Sequence, residues 1–195
     1  PSKDAYILSL KRSFQDAGIS PSSVSFVETH GSGNTIEDQI ESEALNEFME
    51  NRKEQCAIGS IKPNLGHAGA ASGLASLIKT SLCLYHETIP PLMNYDKPGN
   101  QIQLNDSFHI PASPQHWLRN KKDGPRRACT GAMTTDGICL HVILEGFEYE
   151  QIPEKVARKR KRPFIAKGVQ AEPDKLYGSD ALYTSTSKYD KAESG

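Results

Sequence analysis

Two histidines stand among glycines, His30 in ETHGSGN and His67 in KPNLGHAGAASG. Each follows a segment that reads as a strand, and strand ends are where α/β folds gather their sites. The flanking glycines permit a sharp turn or a close approach of backbone to a substrate, which bulkier neighbours would prevent. An imidazole there can move a proton or donate an N–H, but a histidine after a strand is equally a structural hydrogen-bonder until its surroundings say more. The four cysteines, Cys56, Cys83, Cys129 and Cys139, lack paired C-x-x-C spacing. They support neither a zinc site nor a redox motif, and they read as buried free thiols.

The elements that must position the histidines follow from the apolar period. From Ser2, an N-cap residue, Ile7, Leu10, Phe14 and Ala17 recur at helical spacing until Gly18. After Pro21, Val24 and Phe26 alternate with serines and Val27 adds a second buried face, which predicts a strand to Glu28. A second amphipathic helix is expected from about Asp38 to Asn51, on Ile40, Ala44, Leu45, Phe48 and Met49. The strand CAIGS, 56 to 60, leads through a loop with Pro63 and Gly66 into a helix rich in Gly, Ala and Ser. Its period is carried by Leu74, Leu77, Ile78, Ser81 and Tyr85, and its small residues suggest close packing. Pro90 and Pro91 end it, and a loop covers about 92 to 107. The segments 127–133 and 138–145, separated by residues that include Asp136-Gly137, form a hairpin. Strands mixed with helices predict an α/β layered domain.

Composition narrows the class. Lys and Arg total 23 against 24 Asp and Glu, a formal balance of −1 that argues against nucleic acid or an anionic membrane as the main partner. No apolar run approaches the roughly 20 residues of a membrane span, and the first residues lack the order of a secretory signal, so a cytoplasmic protein is expected. Beyond Gly146 few aliphatic residues remain, and residues 147–195 read as a polar linker or tail whose ARKRKRP run is a solvated stretch or, alternatively, a nucleic-acid or localisation patch.

The flanks of the two histidines carry a resemblance. VETHGSGN…DQIESEAL followed by GSIKPNLGHAGAASGLASLIK resembles the β-ketoacyl synthases of polyketide and fatty-acid assembly, whose pattern runs E-x-H-G-T-G-T-x-x-G-D-P-I-E and then G-S-x-K-x-N-x-G-H-x-x-A-A-x-G. His30 and His67 match the two family histidines, Lys62 the lysine of the second motif, and Asn64 and Gly66 its asparagine and glycine. IPP at 89–91 and HVILE at 141–145 extend the likeness over residues 1–146, the expected ketosynthase C-terminal region. The run ACTGAMTTDG, 128–137, loosely resembles the polyunsaturated-fatty-acid type of synthase. The resemblance implies the C-terminal half of a thiolase-like fold, a mixed sheet with covering helices.

It also implies a chemistry, the decarboxylative Claisen condensation of acyl and malonyl thioesters, with both histidines catalytic and Lys62 assisting. Two neutral imidazoles with N–H groups aimed at the enolate oxygen would stabilise it in the transition state. The family's nucleophilic cysteine, in a T-A-C-S-S context, has no counterpart here, so a missing N-terminal half is an implied partner and the chain alone is expected to be inactive. No cofactor is expected to bind directly. Phosphopantetheine arrives on acyl carrier protein, and Ser32 and Asn34, at the two threonine positions of H-G-T-G-T, together with Thr135 are the implied arm and substrate contacts. Glu41, through a cap or ion pair, is expected as structural support, and Asn64 and Gly66 are implied as further structural residues. A homodimer or pseudo-dimer is implied.

The departure lies at 134–139, where the family's G-F-G-G-T-N becomes Thr134-Thr135-Asp136-Gly137-Ile138-Cys139. That removes the aromatic gate and all but one glycine. A non-elongating or chain-length-setting relative, or a docking module, therefore stands beside the condensing enzyme as an alternative.

Overall fold

The computed structural model describes residues 1–147 apart from 51, 98, 100 and 101. The polar extension and its basic run lie outside the described residues. Helix α1 spans Lys3–Ala17. Ser2 starts it by accepting the Ala5 N–H at 3.3 Å, and Gly18 ends it in the left-handed conformation at φ 65°. Its buried face is Tyr6, Ile7, Leu10 and Phe14, while Ala17 is exposed.

Strand β1, Phe26–Glu28, is buried throughout. Helix α2, Thr35–Phe48, begins about three residues before the expected position because Asn34 caps it, its Oδ1 accepting from the N–H of Ile36 at 3.0 Å and Glu37 at 3.4 Å. The apolar period conceals that turn, since Ile36 is 68% exposed. Strand β2 is Cys56–Gly59, and the expected loop after it contains a single helical turn, α3, Lys62–Leu65. Helix α4 runs Ala71–His86. Short strands β3 (Thr88–Ile89), β4 (Phe108–His109) and β5 (Gln115–His116) are followed by the hairpin of β6 (Arg127–Met133) and β7 (Cys139–Glu145).

The main sheet has the order β4-β2-β1-β6-β7. Its first four strands are parallel and β7 is antiparallel to β6, the mixed sheet that was expected. A second, two-stranded antiparallel sheet pairs β3 with β5. Residues of α1 and α2 pack on one face of the main sheet around Leu10, Phe14, Val27, Leu45, Ile58 and Cys129. The other face holds Phe26, Ala57, Cys83, Leu84, Trp117 and Ala128. Because β1 is central and parallel it is covered on both sides, which accounts for the consecutive apolar residues Phe26 and Val27.

The residues that define the helical period of α4 do not face the sheet. Leu74, Ile78 and Tyr85 are 60%, 52% and 37% exposed, and Leu82 is 50% exposed. The buried face is Ser72, Ser76, Thr80, Cys83 and Leu84. Small side chains let the helix approach closely, and a Cβ on Gly73 would stand 3.6 Å from that of Ala132. One long polar contact ties α4 to β1: Lys79 Nζ meets Glu28 Oε2 at 2.6 Å, with the Glu28 side chain wholly buried. Among the described residues no helix is long and apolar enough to cross a membrane.

Candidate active site

Strands β1, β2 and β6 are parallel, so their carboxyl ends share one edge of the sheet, and the candidate residues gather there. His30 follows β1 by two residues and is 4% exposed. Its backbone is held from two sides. Glu41, on α2, accepts the His30 N–H at 2.7 Å through Oε1 and the Gly31 N–H at 2.8 Å through Oε2. The Tyr6 hydroxyl donates to the same Oε1 at 2.5 Å. On the carbonyl side, the Lys62 ammonium donates to the His30 oxygen. Gly31 is required at its position: φ is 46°, and a Cβ would fall 2.9 Å from Ser60 Oγ.

Burial pushes the Glu41 carboxyl up, against the pull of the Tyr6, Gly31 and His30 donors. Burial lowers Lys62, against the surrounding carboxylates Glu41, Glu28, Asp38 and Glu37. Glu41 therefore supports the site neither as a helix cap nor as a direct ion pair but as a fold-back acceptor for the histidine's own backbone. Lys62 meets the same histidine from its carbonyl side.

The rings carry the chemistry. The Met133 N–H, at the end of β6, donates to Nδ1 of His30 at 3.2 Å. The Gly69 N–H donates to Nδ1 of His67 at 3.1 Å. With Nδ1 occupied as an acceptor, a neutral imidazole must carry its proton on Nε2, so both histidines have an Nε2–H to offer. Burial first, then the Lys62 charge, pushes the His30 pKa down to about 4, which keeps it neutral near pH 7. The two rings lie edge to face with centroids 5.6 Å apart. His67 rides on an exposed loop that leaves α3 at Gly66, whose φ of 76° and ψ of 178° suit glycine and whose N–H returns to the Lys62 carbonyl at 2.7 Å.

The remaining candidates are placed less directly. Ser32 Oγ donates to Asp38 at 3.4 Å and accepts the Asn34 N–H at 3.1 Å, and Asn34 Oδ1 caps α2, so both act first within their own loop. Asn64 is exposed on α3, its N–H returning to the Ile61 carbonyl at 3.0 Å. Thr135 is exposed in the β6–β7 turn. That turn keeps a defined path without the family glycines: Thr134 Oγ1 accepts the Ile138 N–H at 3.0 Å and donates to Asp136, and Gly137 takes φ 93°. All four cysteines are free, with Cys56, Cys83 and Cys129 buried. Burial pushes the Cys56 and Cys83 thiols up to about 12 and Cys129 higher, so none is a resting thiolate. No group of side chains among the described residues could hold a metal ion.

Two contributors escape a reading of motifs, and a third does not. Tyr6 looks like one more core position of α1, and only the fold reveals its hydroxyl on Glu41. Met133 acts through its backbone, which leaves no mark on residue type. Glu37 was legible: it occupies the glycine just before the aspartate of G-D-P-I-E, and its Oε2 stands 3.6 Å from His30 Nε2.

Residues 1–96 match the family described as the β-ketoacyl synthase C-terminal domain. Polyketide synthase PksL of Bacillus subtilis strain 168 is 32% identical over 164 residues, covering 82% of this chain and 4% of that protein. The highly reducing polyketide synthase sorA of Penicillium rubens is 37% identical over 147 residues, 74% of this chain and 6% of its own length. Among solved structures, a ketosynthase from module 6 of the bacillaene synthase of Bacillus subtilis 168 superposes with a TM-score of 0.71 at 33% identity, covering 76% of this chain and 27% of that one. The chain thus spans about a quarter of a solved ketosynthase and a few per cent of the curated synthases it matches.

Proposed function

Because this chain belongs to the β-ketoacyl synthase family, whose C-terminal domain lies in residues 1–96, we propose that it supplies the histidine half of a condensing site in polyketide assembly. The observation that carries this reading is the pair of Nε2–H donors, each fixed by a backbone N–H on its Nδ1. In the reaction, a malonyl thioester on acyl carrier protein loses carbon dioxide: the bond from C2 to the carboxylate breaks, and its electron pair passes to the thioester as an enolate. His30 and His67 donate to that enolate oxygen. C2 then attacks an acyl thioester on a cysteine, forming the new carbon–carbon bond and expelling the thiolate. A neutral His30 suits the role, since its Nδ1 stays free to accept the Met133 N–H while Nε2–H faces the substrate.

The nucleophilic cysteine belongs, on this reading, to an N-terminal half. The buried, protonated Cys56, Cys83 and Cys129 are unsuited to it. This chain alone is accordingly inactive, and its region 1–146 acts as the ketosynthase C-terminal part of a larger, dimeric assembly. The phosphopantetheine arm enters over the 31–34 loop, with the Ser32 hydroxyl, the Asn34 amide nitrogen and Thr135 as its contacts. Retention of both histidines separates this reading from a non-elongating relative.

The test is to combine the chain with an N-terminal ketosynthase half and follow condensation. His67→Ala should cut product formation about 100- to 1,000-fold, the usual cost of one oxyanion donor. Because His67 is exposed, the variant should fold normally, and undiminished product formation would end the assignment.

A further inference from the structure

The first turn of α2 brings a carboxylate into the histidine site at a position where the family pattern has glycine. The Glu37 side chain is 11% exposed, and its Oε2 lies 3.6 Å from His30 Nε2, in ion-pair range and just beyond a direct hydrogen bond. Nε2 is the nitrogen that bears the proton, because Met133 occupies Nδ1. The other charged groups around His30 are differently engaged. Lys62 donates to its carbonyl, and Glu41 accepts from Tyr6 and from the His30 and Gly31 backbone. Among the described residues Glu37 is therefore the carboxylate directed at the ring.

We propose that Glu37 is a positioning residue that gates His30: at rest its carboxylate draws the Nε2–H to itself, and it must swing away before that donor can reach a substrate oxygen. The proposal rests on His30 being an enolate donor. A charged acceptor binds an N–H about twice as strongly as a neutral one, so a thioester oxygen does not displace a carboxylate unaided. A fixed negative charge beside a developing enolate also raises the barrier to forming it. Solvent lies close by for the displaced carboxylate, since Asn34, Thr35 and Ile36 on the same turn are exposed. Idle decarboxylation is thereby restrained until a carrier-bound substrate, arriving over that turn, draws Glu37 outward.

The experiment uses the intact protein, with its N-terminal half, and malonyl-pantetheine as the probe. Glu37→Gln keeps the shape and removes the charge, and should raise kcat for decarboxylation about tenfold. Glu37→Gly should do the same, and Glu37→Asp, which keeps the charge but withdraws it by one methylene, should fall between wild type and Glu37→Gln. A Glu37→Gln rate equal to or below wild type, with His67→Ala still lowering it, overturns the gate and leaves the proposed function standing. A second readout is independent of turnover. In an NMR titration, loss of the Glu37 carboxylate should move the His30 protonation midpoint to lower pH. An unmoved midpoint overturns the proposal even if the protein condenses nothing.

Discussion

Glu41 holds His30 by the backbone, its Oε1 accepting the histidine N–H at 2.7 Å from a helix that lies next to β1 in sequence but packs beside α1 in space. The same oxygen takes the Tyr6 hydroxyl at 2.5 Å, so the first helix of the chain reaches the site through a single carboxylate. A buried acceptor with three donors is sensitive to which partner is removed.

Tyr6→Phe should destabilise the protein by about 1.5–3 kcal/mol, the range for a hydrogen bond to a charged group. Glu41→Ala should cost more, because it leaves two buried N–H groups, of His30 and Gly31, without their acceptor. Urea denaturation of the two variants checks the order, and an equal effect would show that Glu41 matters only through Tyr6.

Burial is the main cause that pushes the pKa of both His30 and His141 down from an ordinary 6.5 to about 4. The unfolded chain therefore takes up these protons first as pH falls. Their contribution to stability is complete above about pH 6.5 and is lost progressively toward pH 4. Glu28 and Glu41, raised by burial, slope the other way. The difference between wild type and His141→Gln isolates the histidine part: the variant should lose less stability than wild type between pH 7 and pH 5, read from denaturation midpoints.

Lys79→Met should be strongly destabilising, by about 3–5 kcal/mol, because it leaves Glu28 buried without its cation. The Glu28 side chain is 0% exposed and its Oε1 already lacks a partner among the described residues. The double variant Lys79→Met, Glu28→Gln should recover much of that loss in thermal unfolding.

The outward face of α4 should be an interface. Ile78→Lys, at a position 52% exposed, should leave the stability of this chain within about 0.5 kcal/mol of wild type yet weaken its association with an N-terminal half. Co-purification of the two halves reads this directly, and unchanged association would remove α4 from that interface.

How much of this was legible depends on the kind of signal. Caps and breakers left plain marks: Ser2 and Gly18 bound α1, and Asp136-Gly137 lie in the turn of the last hairpin. Asn34 left one too, but it stands at a threonine position of the motif, which masks the helix start it makes. The period of α4 identified a helix correctly and says nothing about which neighbour each face meets. Its most apolar side chains point away from the sheet of this chain, while serines and a threonine are buried against it. Contacts made by backbone, such as the Met133 N–H on His30, are invisible to residue type, and long-range pairs such as Tyr6 with Glu41 appear only when two helices are laid side by side.

The location of both imidazole protons has a consequence for how the protein can vary. Neither Nδ1 depends on a side chain that substitution could remove, since one partner is the Met133 amide and the other the Gly69 amide. Sequence drift in the β6–β7 turn, including loss of its glycines, leaves the tautomer of His30 untouched so long as β6 reaches residue 133 in register. The turn at 134–139, which departs from the family pattern, is thus one whose side chains the histidine does not require.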